Sequence, residues 1–309
     1  MGFGIGFGKV ILFGEHFVVY GLPSIVSAID KKTTALVEIG NGPGWSLEDR
    51  RPETPGYKKE KLEQQRESIA KILKAAGVDP LKTPIRIILG GDLVAASGIG
   101  ASAASCVAIA RALSDEFGLG YSDEKINEIA YEGERAYHGT PSGVDNTAAT
   151  YGGLLWFVRG KPIERISIKQ PVEIVMGNTG IVANTEAAVA GVRARKQKYT
   201  EKYDEIFREA ERLAYSARKA LIDYDLRKVG RLMDENHKLL QEIEVSCREL
   251  DFLVELAREN GAYGAKMTGG GLGGNIVALT PGEDLQERVA KAIEKEGFEA
   301  LRTRIGVVS

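Results

Sequence analysis

Two cysteines, Cys106 and Cys247, are all that 309 residues contain, and they show no metal-ligand spacing, which fits a reducing compartment without a disulfide framework. They read instead as small apolar residues of a protein kept in a reducing compartment. Histidine is sparse too, at three residues. His16 follows Glu15 directly and His138 sits beside Gly139, and neither has the spacing of zinc ligands. No G-x-S-x-G elbow or comparable order of Ser, His and Asp is present, which argues against acyl-transfer chemistry. Charge of one sign is missing as well. Lys and Arg number 41 against 43 Asp and Glu, a net of −2, so no whole-molecule field would draw a nucleic acid or an acidic membrane. Any anion must be held by a local site. No apolar run reaches the roughly 20 residues that span a bilayer. The segment Met1–Lys9 alternates Gly with Phe and Ile and lacks a basic region, so it does not read as a signal peptide. The expectation is a cytoplasmic protein with neither membrane nor nucleic acid as partner.

What the chain does have is enough apolar material for a core, with 43% hydrophobic and 27% charged residues and 7% aromatics. At roughly 150 residues per domain, its length predicts two domains and a cleft between them. Gly160, Lys161 and Pro162 interrupt the pattern near the expected boundary, giving 1–168 and 169–309. Residues 9–20 predict two strands or a bent hairpin broken at Gly14, and 24–39 continue as strand. A loop is expected over 41–57 and a charged surface helix over 58–76. A strand at 84–89 and helices near 107–117 and 123–138 follow, then strands at 154–158 and 172–177. The second half is mostly helical, over 184–196, 201–223, 225–239 and 246–260. Strand 275–280, helix 285–296 and a final strand close the chain.

Two glycine-rich stretches carry the chemistry. In Ser97-Gly98-Ile99-Gly100-Ala101-Ser102-Ala103-Ala104-Ser105, small residues let the backbone approach an anion while the N–H groups of a starting helix donate to it. A tight loop packed by small side chains is the competing reading. It is not a Walker A loop, because Gly8-Lys9 is followed by Val10 rather than Ser or Thr. Gly269 to Gly274 formally satisfies G-x-G-x-x-G, yet a strand follows it where a dinucleotide site opens a helix. Lys9, Asp145 and Glu134 read singly as an edge lysine, a cap or turn former, and a surface charge. Together they are the set that phosphoryl transfer needs: a carboxylate near the attacking hydroxyl, a cation on the transferring group, and oxygen ligands for a metal.

Three separated blocks resemble the GHMP kinases in order and spacing, across essentially the whole chain. They are Gly8-Lys9-Val10-Ile11-Leu12-Phe13-Gly14-Glu15-His16, then Gly98 to Ala104, then Lys266-Met267-Thr268-Gly269-Gly270-Gly271-Leu272-Gly273-Gly274. His138-Gly139-Thr140-Pro141-Ser142-Gly143-Val144-Asp145-Asn146, with Asn184-Thr185 and Val189 to Arg193, is similar to the mevalonate kinase branch of that family. The resemblance implies an α+β, two-domain fold. Its N-terminal domain would be like ribosomal protein S5, with a left-handed βαβ unit, and its C-terminal domain ferredoxin-like. It also implies ATP and Mg²⁺ as cofactors, mevalonate as the small-molecule substrate, a place in isoprenoid biosynthesis, and leaves a homodimer open.

By position, Asp145 and Lys9 match the catalytic pair. Gly98, Ile99, Gly100, Ala101, Ser102, Ala103 and Ser105 match the triphosphate loop, and Ser102 and Glu134 the Mg²⁺ ligands. Glu15, His16, Asp145, Thr185, Arg193, Thr268, Gly269 and Gly270 match positions around the acid substrate. Phe7 replaces the usual Pro before Gly8-Lys9. Ile99 and Ala101 replace Leu and the first Ser of the second block, and no Pro stands between Leu93 and Ala96. Leu272 replaces a small residue, which would narrow the substrate mouth. A kinase of a sugar or of phosphomevalonate, or an idle metabolite-binding relative, is the alternative.

Overall fold

The computed structural model describes residues 1–53, 56–94 and 98–307. In chain order these form β1 (Gly2–Phe13), a 3-10 turn (Phe17–Tyr20), β2 (Ser24–Ile39), β3 (Trp45–Asp49), α1 (Tyr57–Glu60), α2 (Leu62–Ala75) and β4 (Ile85–Gly91). Next come α3 (Ala101–Glu116), α4 (Asp123–His138), α5 (Val144–Tyr151), β5 (Leu154–Phe157), β6 (Glu164–Ile166) and β7 (Val172–Asn178). The remainder is α6 (Thr185–Lys198), α7 (Thr200–Ile222), α8 (Leu226–Glu242), α9 (Arg248–Glu259), β8 (Gly264–Thr268), β9 (Asn275–Leu279), α10 (Glu283–Lys295) and β10 (Glu299–Ile305). By contacts the chain divides into two units, Met1–Lys9 with Ala28–Gly152 and Val10–Ser27 with Gly153–Ser309. The sequence pattern predicts one boundary, after residue 168. The observed division falls at Gly152 and gives residues 10–27 to the second unit, because Ser24–Ser27 pair with Leu154–Phe157 and Ser27 Oγ accepts the Gly306 N–H at 2.9 Å.

In the first unit β4 pairs antiparallel with β2 and parallel with β3, so α1 and α2 form a βαβ crossover. Strand alternation buries Ile85, Ile87 and Leu89 against α2, α3 and α4. Arg86, between them, pairs outward with Glu38 and Glu48. The glycines at 2, 4 and 6 set the register of β1 on α3. A Cβ there would stand 2.2, 2.1 and 2.1 Å from the carbonyl oxygens of Ala112, Ala108 and Ala104. Two residues of strand advance about as far as four of helix, so the match repeats along the pair. The same register ends with Lys9, whose N–H donates to Ile99 O at 2.8 Å.

In the second unit the strand order β10-β7-β9-β8 is antiparallel throughout. Helices intervene between β7 and β8 and between β9 and β10, which is the ferredoxin-like arrangement. Side chains close the free edge of β8. Asp234 accepts the Ala265 N–H at 2.9 Å, His237 Nδ1 accepts the Met267 N–H at 3.3 Å, and Arg258 donates to Ala265 O at 2.9 Å.

Several elements differ from the sequence pattern. Residues 9–20 make no hairpin: Gly14 turns the chain at φ 99°, and Phe17 and Val18 are buried from a 3-10 turn. The predicted loop 41–57 contains β3, whose short alternation the surrounding Gly and Pro residues mask. The predicted surface helix is α2, with Ile69, Ile72 and Leu73 in the core. Asp145 lies within a helix, α5, rather than in a turn.

Because β1 rests on α3 with no room for a side chain, Gly6→Ala is expected to destabilise the protein by about 1–3 kcal/mol through overpacking. Gly42→Ala, at a site with nothing within 4 Å of the added Cβ, is the control. Denaturant unfolding checks this, and equal midpoints for the two variants would contradict it.

Candidate active site

The first unit gathers the predicted phosphate and catalytic residues. Ser97, the first residue of the predicted loop, lies outside the described residues. Gly98 and Gly100 have φ 72° and 79°, left-handed values that favour glycine, and Gly100 caps α3 without a side-chain bond. The first-turn N–H groups of α3 precede the helix's own hydrogen bonds and carry its positive pole. A Cβ on Gly100 would meet Lys9 Cγ at 2.8 Å, so glycine here also makes room for the lysine. Lys9 is no edge residue. Its side chain is 6% exposed, and Nζ lies 3.2 Å from Oδ1 of Asp145, which is 31% exposed. Asp145 is held because Asn146 Nδ2 donates to Asn127 Oδ1 at 2.7 Å, tying α5 to α4.

Glu134 is likewise no surface charge, being 1% exposed on α4. Burial, with the negative charge of Asp145 adding to it, pushes its carboxyl up to about 8, against the opposing pull of the Ser102 hydroxyl and Lys9. The structure thus brings Lys9, Ser102, Glu134 and Asp145 together. Ser105 is different: it is 5% exposed and its hydroxyl donates to Ala101 O at 2.7 Å, inside the helix. Ala101, Ala103 and Ile99 are buried, so backbone rather than side chain would meet a ligand there.

The second unit holds the predicted acid-substrate residues other than Asp145, which lies in the first. His16 is 5% exposed and sits at φ 61°, a strained value for a residue other than glycine. Its Nε2 donates to Gly270 O at 2.8 Å. Burial lowers its pKa, and Arg195 lowers it further. The neutral ring therefore presents Nδ1 as an acceptor, and Nδ1 has no hydrogen-bond partner among the described residues. Glu15 forms a buried ion pair with Lys266, both side chains 0% exposed. Thr268 Oγ1 donates to Ile11 O at 2.9 Å and accepts the Ile11 N–H at 3.2 Å, fixing the last residues of β1. Gly269 turns at φ 86°, and a Cβ on Gly270 would stand 2.2 Å from Thr185 Oγ1. Thr185 begins α6, capped by Asn184, and Arg193 is exposed on that helix. Leu272 is 41% exposed at φ 55°.

Comparison with known proteins decides the family. The family model described as GHMP kinases N terminal domain matches residues 65–153, and GHMP kinases C terminal matches 217–300. A protein of Thermococcus sibiricus named mevalonate kinase is 34% identical over 96% of this chain and 94% of its own. The chain belongs to the GHMP kinase family. The L. major mevalonate kinase, solved in complex with R-mevalonate, matches this GHMP kinase with a TM-score of 0.93 and 40% identity over 99% of this chain and 96% of that one. A Lactococcus lactis galactokinase solved with galactose, at TM-score 0.77 and 22% identity over 100% of this chain and 94% of that one, shares the fold. The family's enzymes are small-molecule kinases, and this chain is an ATP-dependent one.

Sequence reading gave no role to two residues of this kinase's second unit, although Lys266 opens the third block. Lys266 stands in the apolar strand β8, and a charge in such a strand is the signal that marks it. Arg195 gives no such sign. It is tied by Nη2 to Ile243 O at 2.8 Å and by Nε to Tyr203 Oη at 3.1 Å.

Since the folded state raises the Glu134 pKa to about 8, stability conferred by its neutral form is present at low pH and is lost as pH rises through that value. Glu134→Gln is therefore expected to raise the thermal midpoint of the ligand-free protein at pH 9, and by less at pH 6. A midpoint lowered at pH 9 would contradict the assignment.

Proposed function

We propose that this GHMP kinase is a mevalonate kinase, using ATP and Mg²⁺ to phosphorylate the primary hydroxyl of mevalonate, in the cytoplasm, as a step of isoprenoid biosynthesis. The observation that carries the reading is the match, at 40% identity and TM-score 0.93 over 99% of the chain, to an enzyme solved with R-mevalonate. The Lys9–Asp145 pair beside the glycine loop supports the chemistry.

The reading assigns the phosphates of the donor to residues of the first unit. Backbone N–H groups of 98–103 hold the phosphates at the positive end of α3. Ser102 and Glu134 fit Mg²⁺: both offer hard oxygen, and the raised Glu134 pKa marks two carboxylates, Glu134 and Asp145, whose repulsion a dication would relieve. When bound, the metal neutralises phosphate charge. The acceptor oxygen bonds to the γ-phosphorus as the bond from that phosphorus to the β-bridging oxygen breaks, releasing ADP. Lys9 stabilises charge on the transferring group. Asp145 orients the hydroxyl and takes its proton, late in a loose transition state. His16, neutral and donating to Gly270 O, is suited to accept from a substrate hydroxyl through Nδ1, which leaves the carboxylate to the exposed Arg193. Glu15, Thr185, Thr268 and Gly269 complete the acceptor side.

Release of ADP in a coupled assay tests this with mevalonate, phosphomevalonate, galactose and homoserine as acceptors. Turnover with mevalonate alone is expected. Turnover with another acceptor would keep the chemistry and move the pocket assignment, and silence with all four would point to a non-catalytic relative. Asp145→Asn is expected to lower kcat by at least roughly 10²-fold while ATP affinity stays within a few fold; near-normal turnover would remove it from the mechanism. For Glu134→Gln the Mg²⁺ concentration at half-maximal rate should rise. In the unmodified enzyme that concentration should fall as pH increases toward about 8, because protons compete for Glu134. An unchanged metal requirement in the variant would count against Glu134 as a ligand.

A further inference from the structure

Arg51 stands outside the three glycine motifs, yet it reaches the phosphate loop. It follows β3 and is 7% exposed. Nε and Nη2 grip the two oxygens of Asp49 at 2.9 and 2.6 Å. Nη1 donates to Ser105 Oγ and, at 3.4 Å, to Ala101 O. Ser105 Oγ itself donates to Ala101 O at 2.7 Å. One planar guanidinium thus ties the segment after β3 to the first turn of α3, the turn that carries Ser102. Asp49 is anchored in its place by Gln65 Nε2 at 2.9 Å, and Lys58 Nζ donates to the carbonyls of Asp49 and Arg51 at 3.0 and 2.6 Å. Arg51 also lines, with Ser102, Lys61 and Tyr137, a pocket beside the loop.

Stability alone does not account for this arrangement. A buried ion pair is commonly no more stabilising than apolar residues of the same volume. A cation beside the N-terminus of a helix meets the positive pole, and here the Asp49 carboxylate offsets that charge, so the guanidinium contributes no net attraction to the helix start. What a forked guanidinium does supply is fixed geometry, through five donors in one plane.

We propose that Arg51 is a positioning residue for the donor nucleotide, fixing the first turn of α3 and through it Ser102 and the phosphate-facing N–H groups. The inference rests on the reading that residues 98–103 receive a nucleoside triphosphate. Affinity for the Mg²⁺ complex of a non-hydrolysable ATP analogue, measured by calorimetry without acceptor, separates the two. If the unmodified protein binds no nucleotide, the underlying reading fails and the proposal with it.

Given binding, Arg51→Ala is expected to raise the nucleotide Kd at least about tenfold, the scale of losing hydrogen bonds to a charged group. The mevalonate KM should stay within about twofold, because the Arg51 guanidinium bonds Asp49, Ala101 and Ser105, none of which is assigned to the acceptor. Arg51→Lys, which keeps the charge and loses the fork, should leave most of the defect in place. A folded Arg51→Ala protein with unchanged nucleotide affinity, full rescue by lysine, or equal losses for nucleotide and mevalonate would each overturn the proposal. Should Arg51→Ala fail to fold, Ser105→Ala removes the hydroxyl at the helix end of the link. Its nucleotide Kd should rise about threefold, and an unchanged Kd would overturn the proposal on that variant.

Discussion

A single ion pair, Lys9 with Asp145 at 3.2 Å, sets what the first unit can do, and its placement depends on backbone contact rather than on the pair itself. A lysine 6% exposed has few conformations open to it, so its position is set by where β1 puts its backbone. That backbone is set by glycines 2, 4 and 6 against the carbonyls of α3, and by the Lys9 N–H on Ile99 O. The same helix begins with the loop that would hold the phosphates. Strand register, helix start and the Lys9 side chain are therefore one mechanical object. A side chain anywhere along the strand-helix contact would shift all three together.

Several charges of this protein are buried beside the motif loops, where folding alone would favour apolar residues. Glu134 is 1% exposed and held largely protonated near neutrality, by burial first and by Asp145 second. Lys266 and Glu15 are fully enclosed, and burial lowers the lysine pKa against the raising effect of its partner. Arg51 sits against the positive end of α3. Each arrangement costs desolvation energy that apolar residues would not. Within each unit, charges buried beside a motif loop are the kind of perturbed groups that functional sites favour.

Much of this was legible in the residues. Separated motifs name Lys9, the loop from Gly98 and Asp145, the family resemblance adds Glu134, and the structure brings these together. Helices with long apolar periods, such as α4 and α7, are read close to their observed ends. What escaped did so for local reasons. β3 offers only Trp45 and Leu47 as alternating apolar residues among turn formers. α5 is eight residues of small and polar side chains. The domain division is not contiguous, and pairing of Ser24–Ser27 with β5 is a long-range fact that no window can show. Arg51 and Arg195 look like ordinary surface arginines, since the contacts that fix them, Ala101 and Ser105 for one and Ile243 for the other, lie far along the chain.

The central claim is that Lys9 and Asp145 act as one unit on the transferring phosphoryl group. A double-mutant cycle on kcat, with Lys9→Met, Asp145→Asn and the combined variant, tests it most directly. If the account holds, the combined variant is about as slow as the slower single variant, within roughly threefold, as groups that act together behave. Rate losses that multiply would show that the two residues work independently, and would contradict it.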